Sequence, residues 1–180
     1  MKAILALLGF LLLASEARAD AKISEFKVDV DGNRALASLV LRDAFDHRLS
    51  ERIDSGLLTS ILYHFELHRD RKRWWDRRLR KATLEVTALH DAVSREYTVH
   101  YKLDGKLVES RTVRDRRSLE EAMTRIEQLP VFSLDGLPRS WRVLVKAQAE
   151  LGSRTILSLI PVAITTDWKE SRKFRIPPPS

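Results

Sequence analysis

The sequence predicts an all-β-dominated domain of about seven antiparallel strands, which is α+β only through two minor helices. Three observations lead to this fold class. Most of the chain alternates apolar and polar residues with the period of two that is typical of strands. Short turn signals such as Asp104-Gly105 separate the alternating stretches. Only two stretches have helical spacing. We expect an antiparallel β-sandwich or, as the second possibility, a strongly curved antiparallel sheet.

The first two strands are predicted on either side of a tight turn. Phe26, Val28 and Val30 fall on one side of an extended segment, and residues 35–45 alternate in the same way. The sequence Asp-Gly-Asn at 31–33 is a hairpin signal, because glycine and asparagine accept the left-handed backbone that such turns need. The pattern therefore predicts an antiparallel pair at the start of the domain.

A short helix is predicted over residues 46–55. Leu49 and Ile53 are four residues apart, so a helix would place them on one face, one turn from each other. Gly56 follows where a glycine commonly ends a helix, since glycine adopts the left-handed conformation without a steric penalty. The helix leads directly into the central part of the chain.

A long β-hairpin is predicted over residues 58–90. The outgoing strand places four large apolar residues on one face: Ile61, Tyr63, Phe65 and Leu67. The two apolar faces of the hairpin coincide if the numbers of facing residues sum to an odd value near 150, for example with Phe65 opposite Leu84 or Val86. A slip of one residue would turn Phe65 towards water, so the pattern fixes the parity of the register.

A second hairpin is predicted behind the first. Residues 97–103 alternate, and the Asp-Gly turn at 104–105 brings Leu103 beside Lys106 and Tyr101 beside Val108. The last strands are predicted over residues 141–151, which alternate cleanly, and over 156–164. In the latter segment a proline indicates an edge strand or an irregular crossing.

An amphipathic helix is predicted over residues 118–129. The sequence Ser-Leu-Glu-Glu at 118–121 is a capping box, in which the first serine and the last glutamate satisfy backbone donors at a helix start. Apolar residues continue at helical spacing to Leu129. Pro130 would then stop further growth, because proline lacks the backbone donor that a helix interior needs.

The first nineteen residues have the pattern of a cleaved signal peptide. The apolar run 3–14 is too short to span a bilayer comfortably, and Ala-Arg-Ala at 17–19 is a typical cleavage signal. We expect residues 1–19 to be a signal peptide, residues 20–176 a single antiparallel β domain, and residues 177–180 a proline-rich tail. No transmembrane helix is expected after cleavage. The product is therefore expected to be exported, with the periplasm as its location.

Several kinds of chemistry are excluded by what the sequence lacks. Cysteine is absent, which excludes disulfides, thiolate metal sites and a cysteine nucleophile. There is no G-x-S-x-G nucleophile motif and no glycine-rich loop for phosphates. We therefore predict no catalytic residue and no cofactor.

Positive charge is concentrated between residues 69 and 81. This segment carries eight Lys or Arg and two Asp, a net charge of +6 that equals the whole excess expected for the mature chain. Guanidinium groups bind phosphates and carboxylates, and tryptophan suits a membrane interface. The candidate anion- or partner-binding residues are Arg69, Arg71, Lys72, Arg73, Trp74, Trp75, Arg77, Arg78 and Arg80. The alternative is a solvated turn whose charges prevent edge-to-edge aggregation.

His64, Glu66 and His68 form a second candidate site. In a strand these three side chains project from one face at intervals of roughly 7 Å. Two histidines and a carboxylate are plausible zinc ligands. A polar outer face of the strand explains the same residues, and no fourth ligand of matching parity is evident. We therefore expect no stoichiometric metal.

The order of several short motifs resembles a known family of small exported bacterial proteins, domain of unknown function 4390. The motifs are Asp43-Ala-Phe45, Ser55-Gly-Leu-Leu-Thr59, the Trp-Trp-Asp sequence at 74–76, Tyr97-Thr-Val-His-Tyr101, Ser118-Leu-Glu-Glu-Ala122 and Asp167-Trp-Lys-Glu-Ser171. The sequence Ile-Pro-Val at 160–162 departs from the more proline-rich run expected there. The resemblance covers nearly the whole mature chain. It implies an exported bacterial protein without an established activity, and it assigns no catalytic residues.

These observations favour an exported non-catalytic binding or accessory module of the bacterial cell envelope, with an envelope protein as partner. One alternative is a peripheral binder of anionic lipid or lipopolysaccharide that uses residues 69–81. The other is a metal-dependent enzyme that uses His64, Glu66 and His68. Nucleic acid is not an expected partner, because the signal peptide directs export.

Overall fold

The structure is a computed structural model that describes residues 21–70, 77–156 and 160–176. These residues form eleven strands and two helices. The strands are β1 (Lys22–Asp31), β2 (Arg34–Arg42), β3 (Thr59–Arg69), β4 (Arg77–Asp91), β5 (Glu96–Leu103), β6 (Lys106–Val113), β7 (Arg125–Ser133), β8 (Arg142–Ile156), β9 (Ile160–Thr165), β10 (Lys169–Glu170) and β11 (Phe174–Arg175). The helices are α1 (His47–Asp54) and α2 (Arg116–Thr124). The prediction of an all-β fold with minor helices is confirmed.

The strands form two antiparallel sheets around one core. The small sheet has the order β1-β2-β7, and the large sheet has the order β10-β8-β3-β4-β5-β6, with β9 and β11 also paired to β8. Buried residues from both sheets and both helices belong to a single hydrophobic cluster. The rings of Phe26 in the small sheet and Phe65 in the large sheet lie 6.5 Å apart. The fold is therefore a β-sandwich with unequal sheets.

The hairpin β3–β4 lies at the centre of the large sheet with the predicted parity. The four apolar residues of β3 are fully buried, and the polar residues between them face outward. Tyr63 pairs with Leu84, and Phe65 pairs with Ala82. The facing residue numbers thus sum to 147, which is odd and near 150. The predicted partners of Phe65 were wrong in position: Leu84 and Val86 lie two and four residues along β4 from its actual partner, Ala82.

Helix α1 agrees with the predicted helix over 46–55. Asp46 accepts a hydrogen bond from the backbone N–H of Leu49 at 2.9 Å and caps the helix start. At the other end Gly56 has a positive φ of 75°. The N–H groups of Gly56 and Leu57 donate to the carbonyls of Ile53 and Arg52, which is the Schellman arrangement expected of a C-terminal glycine.

Helix α2 differs from the predicted helix over 118–129 at both ends. It begins at Arg116, because Asp115 caps the helix start in place of Ser118. The carboxylate of Asp115 accepts a hydrogen bond from the backbone N–H of Ser118 at 2.9 Å. It ends at Thr124, and residues 125–133 continue as β7. Ile126 is buried in β7 opposite Leu39. Apolar spacing alone did not distinguish a helix from a strand here, because pairing with β2 buries the same side chain.

Pro130 lies inside β7 rather than after a helix. It faces Leu36 of β2, next to a register shift, and a second shift lies near Gln128, whose φ is +49°. Among the described residues β7 pairs only with β2. An edge strand with bulges tolerates a proline, because no neighbour requires its missing backbone donor.

Two buried tyrosines hold the C-terminal end of α2 on the large sheet. The hydroxyl of Tyr63 donates to the carbonyl of Met123, and that of Tyr101 donates to the carbonyl of Ala122, each at 2.7 Å. The last carbonyls of a helix lack intrahelical donors. The two hydroxyls supply them, so the helix ends at the point where the large sheet offers these donors. Burial raises the pKa of both hydroxyls above the usual value.

Other sequence predictions fall outside the described residues or differ in detail. The expected signal peptide 1–19 and tail 177–180 lie outside the described residues, so both stay predictions. Tyr101 faces Glu109 instead of Val108, because a register shift inserts an extra residue near the start of β6. No helix among the described residues is long and apolar enough to cross a membrane.

Candidate functional site

The three candidate metal ligands on β3 do not converge. His64 pairs with Glu150 of β8, with Nε2 and Oε2 3.2 Å apart. Glu66 instead pairs with His68, whose Nε2 lies 2.7 Å from Oε2 of Glu66. Arg78 donates a second hydrogen bond to Glu66, at 2.6 Å. No group of three or more potential ligands is positioned for a metal ion in the described part of the chain. The outer face of β3 is thus organised by pairwise contacts.

Glu66 is ionised more readily than a free glutamate. Burial alone would raise its pKa, but hydrogen bonds and charge from His68 and Arg78 outweigh burial and lower the pKa below the usual value. Its side chain is 18% exposed. The carboxylate of Glu66 is therefore already engaged in hydrogen bonds with His68 and Arg78.

The ring of His68 leaves one nitrogen unused. Nδ1 of His68 is buried and has no hydrogen-bond partner among the described residues. His68 faces Leu144 of β8, which is itself buried although it lies on the outer face of the sheet. An unpaired buried polar atom costs stability, on the order of 1–3 kcal/mol.

The described arginines of the basic segment are largely engaged within the fold. The guanidinium of Arg69 lies over the ring of Trp141 at 4.0 Å. Arg80 donates to the backbone carbonyls of Ser133 and Asp135 and so ties β4 to the end of β7. Arg78 is bound to Glu66, as described above, and Arg77 is exposed. Three of the four described arginines therefore have structural contacts.

The remaining residues of this candidate site lie outside the described residues. They are Arg71, Lys72, Arg73, Trp74 and Trp75. The last described pair of the hairpin is Arg69 opposite Arg77. Like charges directly opposite one another are unfavourable unless other groups neutralise them. The proposed anion-binding role of this segment stays a prediction.

Exposed apolar side chains gather at the opposite end of the hairpin. Thr59 faces Ala88 there, so Leu58 and Leu89 are the next residues outward on the two strands. Leu58 is 61% exposed and Leu89 is 40% exposed. Leu57 and Val93, in the adjoining loop and turn, are also exposed. We call these four leucine and valine residues the apolar end.

A shallow open depression adjoins the apolar end. It is lined by residues of α1 and the following loop: Arg48, Glu51, Arg52, Asp54, Ser55 and Leu57. The carboxylate of Asp54 accepts two hydrogen bonds of 2.9 Å. The hydroxyl of Tyr97 donates to Oδ1, and the guanidinium of Arg116 donates to Oδ2. The ring of His90 stacks on Tyr97 with the centroids 4.7 Å apart. These contacts fix α1 against β5 and α2 beside an apolar surface with a charged rim.

Sequence reasoning missed the apolar end, although a signal was present. Leu58 has the same parity as the outward residues His64 and Glu66, so an alternating strand should turn it towards solvent. A leucine on a polar face is the observation that could have identified the surface. The contacts of Asp54 with Tyr97 and Arg116 connect residues 43 and 62 positions apart. No local pattern predicts them.

The model of the family described as "Domain of unknown function (DUF4390)" matches residues 18–171. No curated protein and no solved structure gives a significant match.

Proposed function

We propose that this chain, which belongs to the family described as domain of unknown function (DUF4390), is an exported non-catalytic binding module of the bacterial cell envelope. The observation that carries the proposal is the apolar end. Four exposed apolar side chains lie beside a depression whose lining includes the charged residues Arg48, Glu51, Arg52 and Asp54. Grouped exposed apolar residues with a polar rim are typical of protein-binding surfaces.

The contacts of the polar side chains on the large sheet also favour the apolar end as the binding surface. His64 pairs with Glu150 of β8, Glu66 accepts from Arg78 of β4, and Arg80 donates to backbone carbonyls at the end of β7. Their arrangement stabilises the sandwich. The apolar end, in contrast, places Leu58 and Leu89 in water without any evident structural gain. We expect a protein partner in the envelope to cover these two side chains.

The proposal is tested by retention of envelope proteins on the immobilised mature chain. The parent should retain a defined partner. The double variant Leu58→Asp, Leu89→Asp should lose at least about nine-tenths of it, because the interface would have to desolvate two carboxylates and a loss of about 1.4 kcal/mol already lowers affinity tenfold. Ile164→Asp is the matched control, since Ile164 is 42% exposed, close to the 40% of Leu89, but lies on β9. Equal retention by all three chains would contradict the proposal.

Export is tested separately. The mature protein should begin at Asp20, because the cleavage signal occupies residues 17–19. The intact mass of the product from the periplasm measures this directly. A product that retains the apolar run 3–14 would show that the segment anchors the chain instead.

A second candidate function is binding of an anionic membrane surface through residues 69–81. The observation that favours it is the register, which sets Arg69 directly opposite Arg77 and so concentrates positive charge at the end of the hairpin. Each basic residue near an anionic leaflet contributes about 1 kcal/mol. Arg71→Glu with Arg73→Glu should therefore abolish most pelleting with anionic vesicles. Pelleting equal to that of the parent at low salt would remove this candidate.

A further inference from the structure

The edge of the large sheet formed by β6 is open. Among the described residues β6 pairs only with β5, and its residues from Lys106 to Thr112 are all exposed. Leu107 and Val108 are 60% and 51% exposed. A register shift lies near Val108, but the pairing with β5 is regular from Glu109 to Val113. An exposed regular edge of this kind offers unpaired backbone groups to another strand.

The other edge of the same sheet is closed by the chain itself. Strands β9, β10 and β11 all pair with the outer side of β8. Between these short strands, the hydroxyl of Ser171 accepts from the backbone N–H of Val145, and the hydroxyl of Thr166 accepts from that of Ala149, each at 3.0 Å. Within the described residues, the fold therefore covers the outer side of β8 and leaves that of β6 uncovered.

The charges of β6 favour pairing with a second copy of itself. A two-fold axis normal to the sheet pairs two β6 strands antiparallel, with one residue of each copy on the axis. An axis at Glu109 sets that carboxylate against itself, and an axis at Arg111 sets two guanidinium groups against each other. An axis at Ser110 places Glu109 of each copy opposite Arg111 of the other. Opposite charges stabilise a directly facing pair, and like charges destabilise it.

We propose that β6 is a self-association edge, and that two copies pair through it in the register centred on Ser110. The two large sheets then form one continuous antiparallel sheet. This inference goes beyond the proposed binding function and does not depend on it, because the apolar end lies on other strands.

Arg111 and Glu109 pair with each other within one chain, and in the dimer each can pair instead with the second copy. Arg111 donates to Glu109 of the same strand, and its guanidinium lies 5.0 Å from the centre of the Tyr101 ring. In the pair each arginine finds an equivalent carboxylate across the new ladder. The net gain comes from backbone hydrogen bonds and from covering Leu107 and Val108. An interface of one strand pair is small, so the dimer is expected to be weak.

A single cysteine on the axis tests the register. The chain has no cysteine of its own, so Ser110→Cys introduces the only thiol. Directly facing residues of an antiparallel pair have Cα atoms about 4.5–5.5 Å apart, which suits a disulfide. Thr112→Cys is the matched control on the same strand, because its two copies would be separated by roughly 14 Å along the ladder. We expect a covalent dimer of Ser110→Cys at a rate at least about tenfold that of Thr112→Cys. Equal rates, or no dimer in either variant, would overturn the proposal.

Charge reversal tests the same register without a covalent bond. Arg111→Glu and Glu109→Arg each place like charges opposite one another in a homodimer, so each variant alone should sediment as a monomer. An equimolar mixture restores both opposite-charge pairs and should dimerise as the parent does. Arg34→Glu is the control, since it reverses an exposed arginine paired with Asp31 in the small sheet. Circular dichroism should show the spectrum of the parent for every variant.

Sedimentation of the mature parent chain completes the test. Weak interfaces require concentrations up to about 500 µM, and the parent should show a dimer that grows with concentration over this range. A parent that stays monomeric over the whole range would overturn the proposal. An extended segment of another protein would then be the remaining candidate for pairing with β6. A mixture of the two charge variants that stays monomeric while the parent dimerises would overturn the proposed register.

Discussion

The two edges of the large sheet differ in how the chain treats them. On β8 the C-terminal residues supply three short strands, and two buried hydroxyls satisfy the backbone donors between them. On β6, the regularly paired residues from Glu109 to Thr112 remain exposed, as do Leu107 and Val108. The same sheet therefore has one edge that is built into the core and one that is available to a partner.

This difference separates stability from interaction. Closing β8 buries Val143, Val145 and Ala147 completely, so this side contributes to the free energy of unfolding. The β6 residues from Lys106 to Thr112 are exposed, so changes there should alter association and leave stability nearly unchanged.

The largest effect is expected for truncation of a core ring on the closed side. Phe65 is fully buried in β3 next to β8. Phe65→Ala should lower the free energy of unfolding by about 3–5 kcal/mol, because it removes buried surface and leaves a cavity. Leu107→Ala on β6 should change it by less than about 0.5 kcal/mol. Urea denaturation measures both values. Similar losses would show that the β6 side is also part of the core.

The two tyrosines beneath α2 provide the next comparison. Tyr63→Phe leaves the carbonyl of Met123 without its donor in a fully buried place and should cost about 1–3 kcal/mol. Tyr101→Phe removes the donor to Ala122 on the side towards β6, where Tyr101 is slightly exposed. Its cost should be smaller, because water reaches that side more easily. Thermal denaturation of the two variants ranks the losses, and the reverse order would contradict the comparison.

Removal of one hydroxyl from each edge gives a smaller effect. Ser171→Ala deprives the backbone N–H of Val145 of its acceptor at a buried position, so we expect a loss of about 1–2 kcal/mol. Ser110→Ala on β6 removes only an exposed contact with His100 and should be neutral within about 0.5 kcal/mol. Equal values from chemical denaturation would mean that the closed edge does not depend on this hydroxyl.

The smallest effect concerns pH. The pKa of Glu66 is lowered in the folded state, so its ionised form adds stability above the unfolded pKa of about 4.3, and this contribution is lost as the pH falls below that value. The stability difference between the parent and Glu66→Gln should thus be larger at pH 6 than near pH 3. A stability difference of the same size at both pH values would contradict the lowered pKa of Glu66. Urea midpoints measured across this range decide between the two outcomes.

Much of the sandwich follows from local patterns in the sequence. Alternation placed Tyr63 and Phe65 inside, and the turn at residues 104–105 gave the correct pairing of Leu103 with Lys106. The glycine after α1 was also identified correctly. These features depend on side chains close in sequence, where the strand period and the turn conformation determine the result.

The features that failed depend on distant contacts. Helix α2 ends where Tyr63 and Tyr101, from two separate strands, reach its last carbonyls. The apolar spacing up to Leu129 carried no information about them. The closed edge of β8 likewise depends on hydroxyls of Thr166 and Ser171, which nothing in their local sequence assigns to a backbone donor. Long-range register therefore limits what one sequence can predict.

Amide hydrogen exchange compares the two edges most directly. In a dilute sample, where the chain is monomeric, the N–H groups of Val145 and Ala149 should exchange slowly, because each donates to a buried hydroxyl. The outward-facing N–H groups between Glu109 and Val113 should exchange at nearly the rate of an unstructured chain, and they should become protected as the concentration rises. Slow exchange of those β6 groups in the dilute sample would show that the chain already covers this edge, and it would contradict the account.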